Sequence, residues 1–143
     1  MKLIQNNKKA YYEYFIEDTY QAGICLVGSE VKSVKDGHIS ITDSFVSLKD
    51  DELFLKNAYI KPYEKANNFT VSDTRIRKLL LKKEEIQKIK KKVEVKGYTI
   101  IPTKVYLKDN LVKLEIGIAK GKKLYDKRET IKKRDIERQL KTY

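Results

Sequence analysis

Tyr98-Thr99-Ile100-Ile101-Pro102-Thr103-Lys104-Val105-Tyr106-Leu107-Lys108-Asp109-Asn110-Leu111-Val112-Lys113-Leu114-Glu115-Ile116-Gly117-Ile118 is the stretch that sets the fold class. Its two arms are rich in β-branched and aromatic residues, which suit a pleated, half-buried surface. Lys108-Asp109-Asn110 between them supplies residues that accept turn backbone. The stretch therefore predicts a β-hairpin. Pro102 has no N–H to give to a ladder, so the first arm must meet a sheet edge or a bulge there.

Upstream, apolar residues recur with period two at Tyr12, Tyr14 and Ile16, at Ile39 and Ile41, and at Leu53 and Leu55, which predicts further strands. Residues 45–48 and 53–55 flank Lys49-Asp50-Asp51 and predict a second hairpin with a polar turn. Residues 30–35 fit one or two helical turns, with Ser29 as N-cap and Gly37 as terminator. Residues 83–92 form the one clear internal helix: Glu84 and Glu85 suit its positive N-terminal end, and Ile86, Ile89 and Val93 make one apolar stripe. Residues 60–74, with Pro62, Asn67 and Asn68, read as a long surface loop. About six short strands with a helix between the fourth and fifth predict a mainly β fold, a small closed antiparallel barrel of oligonucleotide-binding (OB) type with a few short helices. The barrel is expected to span residues 1–118. Residues 119–143 are expected to form a basic tail, disordered alone and helical on a partner, since their apolar residues are few and irregularly spaced.

A chain of 143 residues with 41% hydrophobic residues can support one core. Its formal charge is +12, from 32 Lys and Arg against 20 Asp and Glu. Residues 75–92 carry nine basic groups against Glu84 and Glu85, and residues 119–143 carry ten against four acids. The rest of the chain is close to neutral. Two concentrated basic segments suit a polyanion, because neutralised phosphates release counterions. The apolar runs at residues 24–27 and 79–81 are far shorter than the roughly 20 residues of a membrane helix, so no membrane partner is expected. The polar residues 1–9 lack the apolar region of a signal peptide, which predicts a cytoplasmic protein.

Several chemistries are excluded on composition and spacing. One Cys and one His make neither a disulfide nor a Cys/His zinc set. Residues 117–123 resemble a phosphate loop, but the glycines are one residue too close and no Ser or Thr follows the Lys. Cys25 is expected to be a core thiol, His38 a turn residue, and Asp50-Asp51-Glu52 a hairpin turn. Nothing assembles a nucleophile, a base and an orienting group, so no enzyme, cofactor or metal is expected. Of the ten Tyr and four Phe, most are expected in the core, with some free to stack on bases.

The order and spacing of several stretches resemble the small protein B family, the tmRNA (SsrA)-binding proteins of bacterial trans-translation. They are Asn7-Lys8-Lys9-Ala10 leading to Tyr14, Ala22-Gly23, Gly28-Ser29-Glu30-Val31-Lys32-Ser33, Asp43-Ser44, Pro62-Tyr63, Arg77-Lys78-Leu79-Leu80-Leu81, and Gly117-Ile118-Ala119-Lys120-Gly121-Lys122-Lys123 followed by Asp126-Lys127-Arg128. The resemblance implies a barrel bound to the tRNA-like domain of tmRNA, which it delivers to a stalled ribosome. The tail would enter the empty mRNA channel and decoding centre beside 16S rRNA, allowing rescue and tagging of the nascent peptide. Elongation factor Tu would take part indirectly through alanyl-tmRNA, and the free protein would be a monomer.

Carried over by position, Asn7, Leu80 and Lys113 fall at tmRNA contacts. Gln21 stands where many relatives carry Glu, so a contact there keeps a neutral acceptor. Together with the basic segments, the expected RNA-binding set is Asn7, Lys8, Lys9, Gln21, Lys32, Arg75, Arg77, Lys78, Leu80, Lys113, Lys120, Gly121, Lys122 and Lys123. The expected tail contacts at the decoding centre are Tyr125, Asp126, Lys127, Arg128, Ile136 and Leu140. Two alternatives stay open: an RNA-binding barrel of the translation machinery without tmRNA specificity, and an RNA-processing enzyme using Asp50, Asp51 or Glu52 with magnesium.

Overall fold

The computed structural model describes residues 1–62, 72–95 and 97–122. The hairpin expected at residues 98–118 is its longest feature: strands β8 (Tyr98–Lys108) and β9 (Leu111–Gly121) pair antiparallel along their whole length. Asp109 and Asn110 at the turn have φ of +50° and +64°, a left-handed pair that matches the right-handed twist of the flanking strands. Pro102 sits where expected, at a register shift between Pro102 and Lys104.

The remaining elements, in chain order, are β1 (Lys2–Asn6), α1 (Lys8–Glu13), β2 (Tyr14–Ile24), α2 (Gly28–Lys35), β3 (Ile39–Ser40), β4 (Phe45–Lys49), β5 (Glu52–Lys56), β6 (Tyr59–Ile60), β7 (Arg77–Leu80) and, before β8, α3 (Lys83–Val93). Strands β8, β4, β5, β7, β2 and β9 pair in that order, and β9 pairs back onto β8, so the sheet closes on itself. Every pairing in the ring is antiparallel. The fold is the mainly β, closed OB-type barrel with few helices. Beyond the bulge, β8 exchanges its neighbour: Ile100 pairs with Val46 of β4, whereas Lys104 to Leu107 pair with β1. The proline thus falls where one partner strand gives way to another, and no ladder donor is missed.

Inward residues of the ring, among them Leu53, Leu55, Leu79, Leu114, Ile116 and Ile118, form one core, and Ile89 of α3 joins it fully buried. Each such side chain contributes about 2–3 kcal/mol of burial. Gly117 lies where β9 passes Ile16 and Thr103; a Cβ there would stand 2.7 Å from Ile16 Cγ2. That close approach requires glycine.

Five expectations change. Nine strands are present among the described residues instead of about six: β1, β7 and β6, the partner of the expected strand at Ile39, were not legible. The alternation at Tyr12, Tyr14 and Ile16 straddles a boundary, with Tyr12 inside α1 and β2 starting at Tyr14. Helix α2 starts at Gly28, so Ser29 lies inside it and Val27 is the N-cap residue. Cys25 is an exposed thiol, because β2 ends at Ile24 and the chain leaves the barrel there. Gly37 does end α2, with φ of +84°. Ala119, expected to open the tail, is fully buried, and β9 continues to Gly121. The loop expected at 60–74 is described only at its ends, joined by the hydrogen bond from Ile60 N–H to the Asp73 carbonyl. Residues 63–71, and the tail from residue 123 onward, lie outside the described residues.

Candidate nucleic-acid interface

The basic segment at 75–92 is less free than its composition suggests. Lys78 pairs with Glu52 (3.1 Å), Lys90 with Asp51 (3.0 Å), and Lys92 with Glu17 (3.0 Å) and Asp18 (3.4 Å). Asp50-Asp51-Glu52 is a hairpin turn, as expected, and two of its acids serve as counter-ions to the basic segment. Glu17 is held below the ordinary carboxylate range by its hydrogen bonds from Lys92 and then from the Tyr98 hydroxyl. Lys82, Lys83, Lys88 and Lys91 make no ion pair among the described residues.

Arg75 and Arg77, both expected as phosphate contacts, are engaged with an internal carboxylate. Along β7, Arg77 and Leu79 point inward while Lys78 and Leu80 point out, so the Arg77 guanidinium is 0% exposed. Its Nε donates to Glu30 Oε2 at 2.7 Å and its Nη1 to the Ala58 carbonyl at 2.9 Å. Arg75 Nη2 donates to Glu30 Oε1 at 2.6 Å and to the Cys25 carbonyl at 3.1 Å. Glu30 is itself 3% exposed. Burial works against its charge, but the donors Arg75, Val27 N–H and Arg77 outweigh it and hold the carboxyl below its ordinary range. Buried arginine is inaccessible to a phosphate, so Arg77 is a strut of the barrel wall and not an RNA contact. Glu30 was missed as a member of this site. The signal was an arginine in the inward register of a strand, which demands a buried acid.

Asn7 is likewise internal, 3% exposed. Its Oδ1 accepts from Ala10 N–H at 3.3 Å, which caps α1, and its Nδ2 donates to the Pro102 carbonyl at 2.8 Å. The direct base or sugar contact expected of Asn7 is replaced by a structural one: its donors and acceptor hold α1 to β8.

Leu80 and Lys113, distant in sequence, do meet. With Gly23, Ile24, Leu26, Val31 and Asn110 to Val112 they line a groove of about 270 Å³. Leu80 is 53% exposed, and it reaches the groove because β7 pairs with the end of β2, Gly23 facing Leu80. Gly23 in turn faces Lys113 across the β2–β9 pair. A Cβ on Gly23 would lie 3.3 Å from Leu80 Cβ, so the glycine leaves the groove open beside the leucine. Gln21 lies two residues along β2, exposed, directly opposite Glu115. Glu115 accepts a hydrogen bond from the Thr103 hydroxyl at 2.6 Å. On the neighbouring β8, burial and then Glu115 push the Tyr106 hydroxyl up.

At the other end of the β2–β9 pair, Lys120 faces Phe15 and Gly121 faces Tyr14. Lys122 closes this end: its N–H donates to the Glu13 carbonyl at 2.8 Å, its Nζ to the Tyr11 carbonyl at 3.1 Å, and its ammonium stands 5.1 Å over the Phe15 ring. Lys8, Lys9 and Lys32 are exposed on α1 and α2, with Lys9 paired to Asp43 at 2.8 Å. Lys123, Tyr125, Asp126, Lys127, Arg128, Ile136 and Leu140 lie outside the described residues. The structure thus brings Gln21, Leu80 and Lys113 to one end of the β2–β9 face and Lys120, Gly121 and Lys122 to the other. No group of three or more His, Cys, Asp or Glu able to hold a metal occurs among the described residues.

A family model described as SmpB protein matches residues 4–143. A protein named SsrA-binding protein from Caldanaerobacter subterraneus subsp. tengcongensis is 55% identical over 140 residues, 98% of this chain and 89% of that protein. The chain belongs to the SmpB family. Another SsrA-binding protein, from Fusobacterium nucleatum subsp. nucleatum, is 52% identical over 97% of this chain and 94% of its own length. A solved structure described as "tmRNA-SmpB: a journey to the center of the bacterial ribosome" superposes with a TM-score of 0.71 at 43% identity, covering 89% of this chain and 93% of that one. Among SmpB-family features, the block Gly117 to Lys122 is structural in its first half, where Gly117, Ile118 and Ala119 complete the barrel, and surface-facing from Lys120 onward.

Proposed function

We propose that this chain is an RNA-binding factor of trans-translation: its barrel binds the tRNA-like domain of tmRNA and brings it to stalled ribosomes. The observation that carries the reading is the groove in which Leu80 and Lys113 meet, beside the exposed Gln21. Apolar walls of this kind take an unstacked base, an ammonium beside them takes its phosphate, and a neutral amide can bond a base edge or a 2′-hydroxyl. Duplex phosphates alone would need no such groove. The names and whole-length similarity of the relatives support the same partner.

The finer steps belong to the same proposal. Tyr125 to Arg128, with Ile136 and Leu140, contact the decoding centre and empty mRNA channel; elongation factor Tu acts through alanyl-tmRNA. The free protein is a cytoplasmic monomer that makes and breaks no covalent bond. A salt-titrated competition among the tRNA-like domain of tmRNA, an elongator tRNA and a duplex of similar charge tests the reading. Preference for the tmRNA domain that survives at about 150 mM salt supports it, because charge alone is screened to a Debye length of about 8 Å there. Equal binding to all three, collapsing together as salt rises, refutes it.

A further inference from the structure

The residues that line the groove come from segments that a single buried carboxylate ties together. Glu30 sits one residue before Val31, a groove wall on α2. Through Arg75 it holds the Cys25 carbonyl, and Cys25 is flanked by the wall residues Ile24 and Leu26. Through Arg77 it holds the base of β7, whose far end presents Leu80. Cys25 N–H also donates to the Lys78 carbonyl at 2.9 Å, which locks the same two segments by backbone. All walls of the groove but the β8–β9 turn and the start of β9 are thus fastened to Glu30. The carboxylate touches no solvent-facing surface, so it can act on a ligand only by holding others in place.

We propose that Glu30 is the positioning residue of the RNA groove: with Arg75 and Arg77 as struts, it sets the spacing between α2, the end of β2 and β7 at which a base can enter. This rests on the proposed recognition of RNA in that groove. A preorganised groove contributes selectivity, because the cost of arranging its walls is met before binding. The struts contribute no phosphate contacts, so their loss leaves the salt dependence of binding unchanged. The two arginines therefore behave oppositely to a surface lysine such as Lys113, whose removal lowers the log-log salt slope by about 0.7–0.9.

The test uses the full chain and its Glu30→Gln, Arg75→Gln and Lys113→Gln variants, each measured against the tRNA-like domain and against a random RNA of equal length over a range of salt. Glu30→Gln and Arg75→Gln are expected to lose at least fivefold in affinity for the tRNA-like domain and less than twofold for the random RNA, with unchanged slopes. Lys113→Gln is expected to lose on both and to flatten the slope. An Arg75→Gln slope lowered by about 0.7–0.9 would make Arg75 a phosphate ligand and overturn the proposal. So would wild-type selectivity in either Glu30→Gln or Arg75→Gln. Arg75 is one-third exposed and its variant keeps the test open should Glu30→Gln not fold. Methyl NMR of Leu26, Val31 and Leu80 in the free protein separates this proposal from the functional one. If the unmodified chain shows no preference for the tmRNA domain, the functional reading fails. Shifted groove methyls in Glu30→Gln and Arg75→Gln then still support positioning, and unshifted methyls overturn it.

Discussion

Replacing Asn7 with alanine separates two roles that the sequence leaves superimposed. If Asn7 touches RNA, Asn7→Ala weakens binding and leaves the fold alone. The structure gives the opposite order of effects. The variant loses the cap on α1, worth about 1 kcal/mol. It also removes the donor to the Pro102 carbonyl, and an unpaired buried acceptor costs about 1–3 kcal/mol. The weaker bond to the Ile41 carbonyl, at 3.4 Å, costs little, because Ile41 keeps Ser44 N–H and the Ser44 hydroxyl as donors. The sum is about 2–4 kcal/mol. For 143 residues an unfolding entropy of roughly 0.3 kcal/mol per degree makes that a fall in Tm of about 7–13 °C. Thermal and urea melts of the full chain read it directly, and RNA affinity is measured on the same samples well below the new Tm. Asn7→Asp keeps the capping acceptor but sets a carboxylate against the carbonyls, and is expected to melt lower still at neutral pH. A Tm within 2 °C of the parent together with lost tmRNA affinity would refute the structural assignment.

Two further outcomes follow from local geometry. Glu30 has a folded pKa below its ordinary value, so its contribution to stability is present above about pH 4.5 and is lost as pH falls through the folded value; in urea melts at several pH values, Glu30→Gln should be well below the parent at neutral pH, with the gap narrowing in acid, and a gap independent of pH would contradict this. Asp50 holds φ of +51° in the β4–β5 turn, where glycine adopts the left-handed region without a Cβ clash, so Asp50→Gly should raise stability by about 0.5–1 kcal/mol in the same melts.

What could be read without coordinates depended on whether an element announced itself by a single period. Both arms of the β8–β9 hairpin do, and so does the stripe of α3. Strand β7 does not: its inward positions are Arg77 and Leu79, so the alternation is charged, charged, apolar, apolar, and the arginines join a basic run instead of a core. Strand β1 is five residues with largely exposed side chains, held by pairing with β8 and not by an apolar face. Helix α1 spans less than two turns, too short to show a period, and its cap at Asn7 emerged only with the structure. Within the site, Leu80 and Lys113 were legible by position but their meeting was not, since it depends on β7 pairing with β2 and β2 with β9. Glu30 was hidden because one carboxylate in a short helix carries no pattern; only the ring of strands puts two arginines on it.

The ion pairs also change what the +12 charge can do. Pairing does not alter net charge, so the far field still attracts a polyanion and speeds encounter. Near contact is different, since a lysine already bonded to a carboxylate must give that partner up before it can replace a counterion. If all nine basic groups at 75–92 met phosphates, they would contribute a log-log salt slope of about −6 to −8. Five of them, Arg75, Arg77, Lys78, Lys90 and Lys92, have carboxylate partners inside the fold. The remaining four can contribute at most about −3 to −4. On the proposed reading, discrimination between RNAs comes from shape, through the groove where Gly23 lets Leu80 stand open beside Lys113. On the proposed reading, paired lysines and a preorganised groove act in the same direction: they weaken indiscriminate binding to any polyanion while leaving intact a contact with an unstacked base.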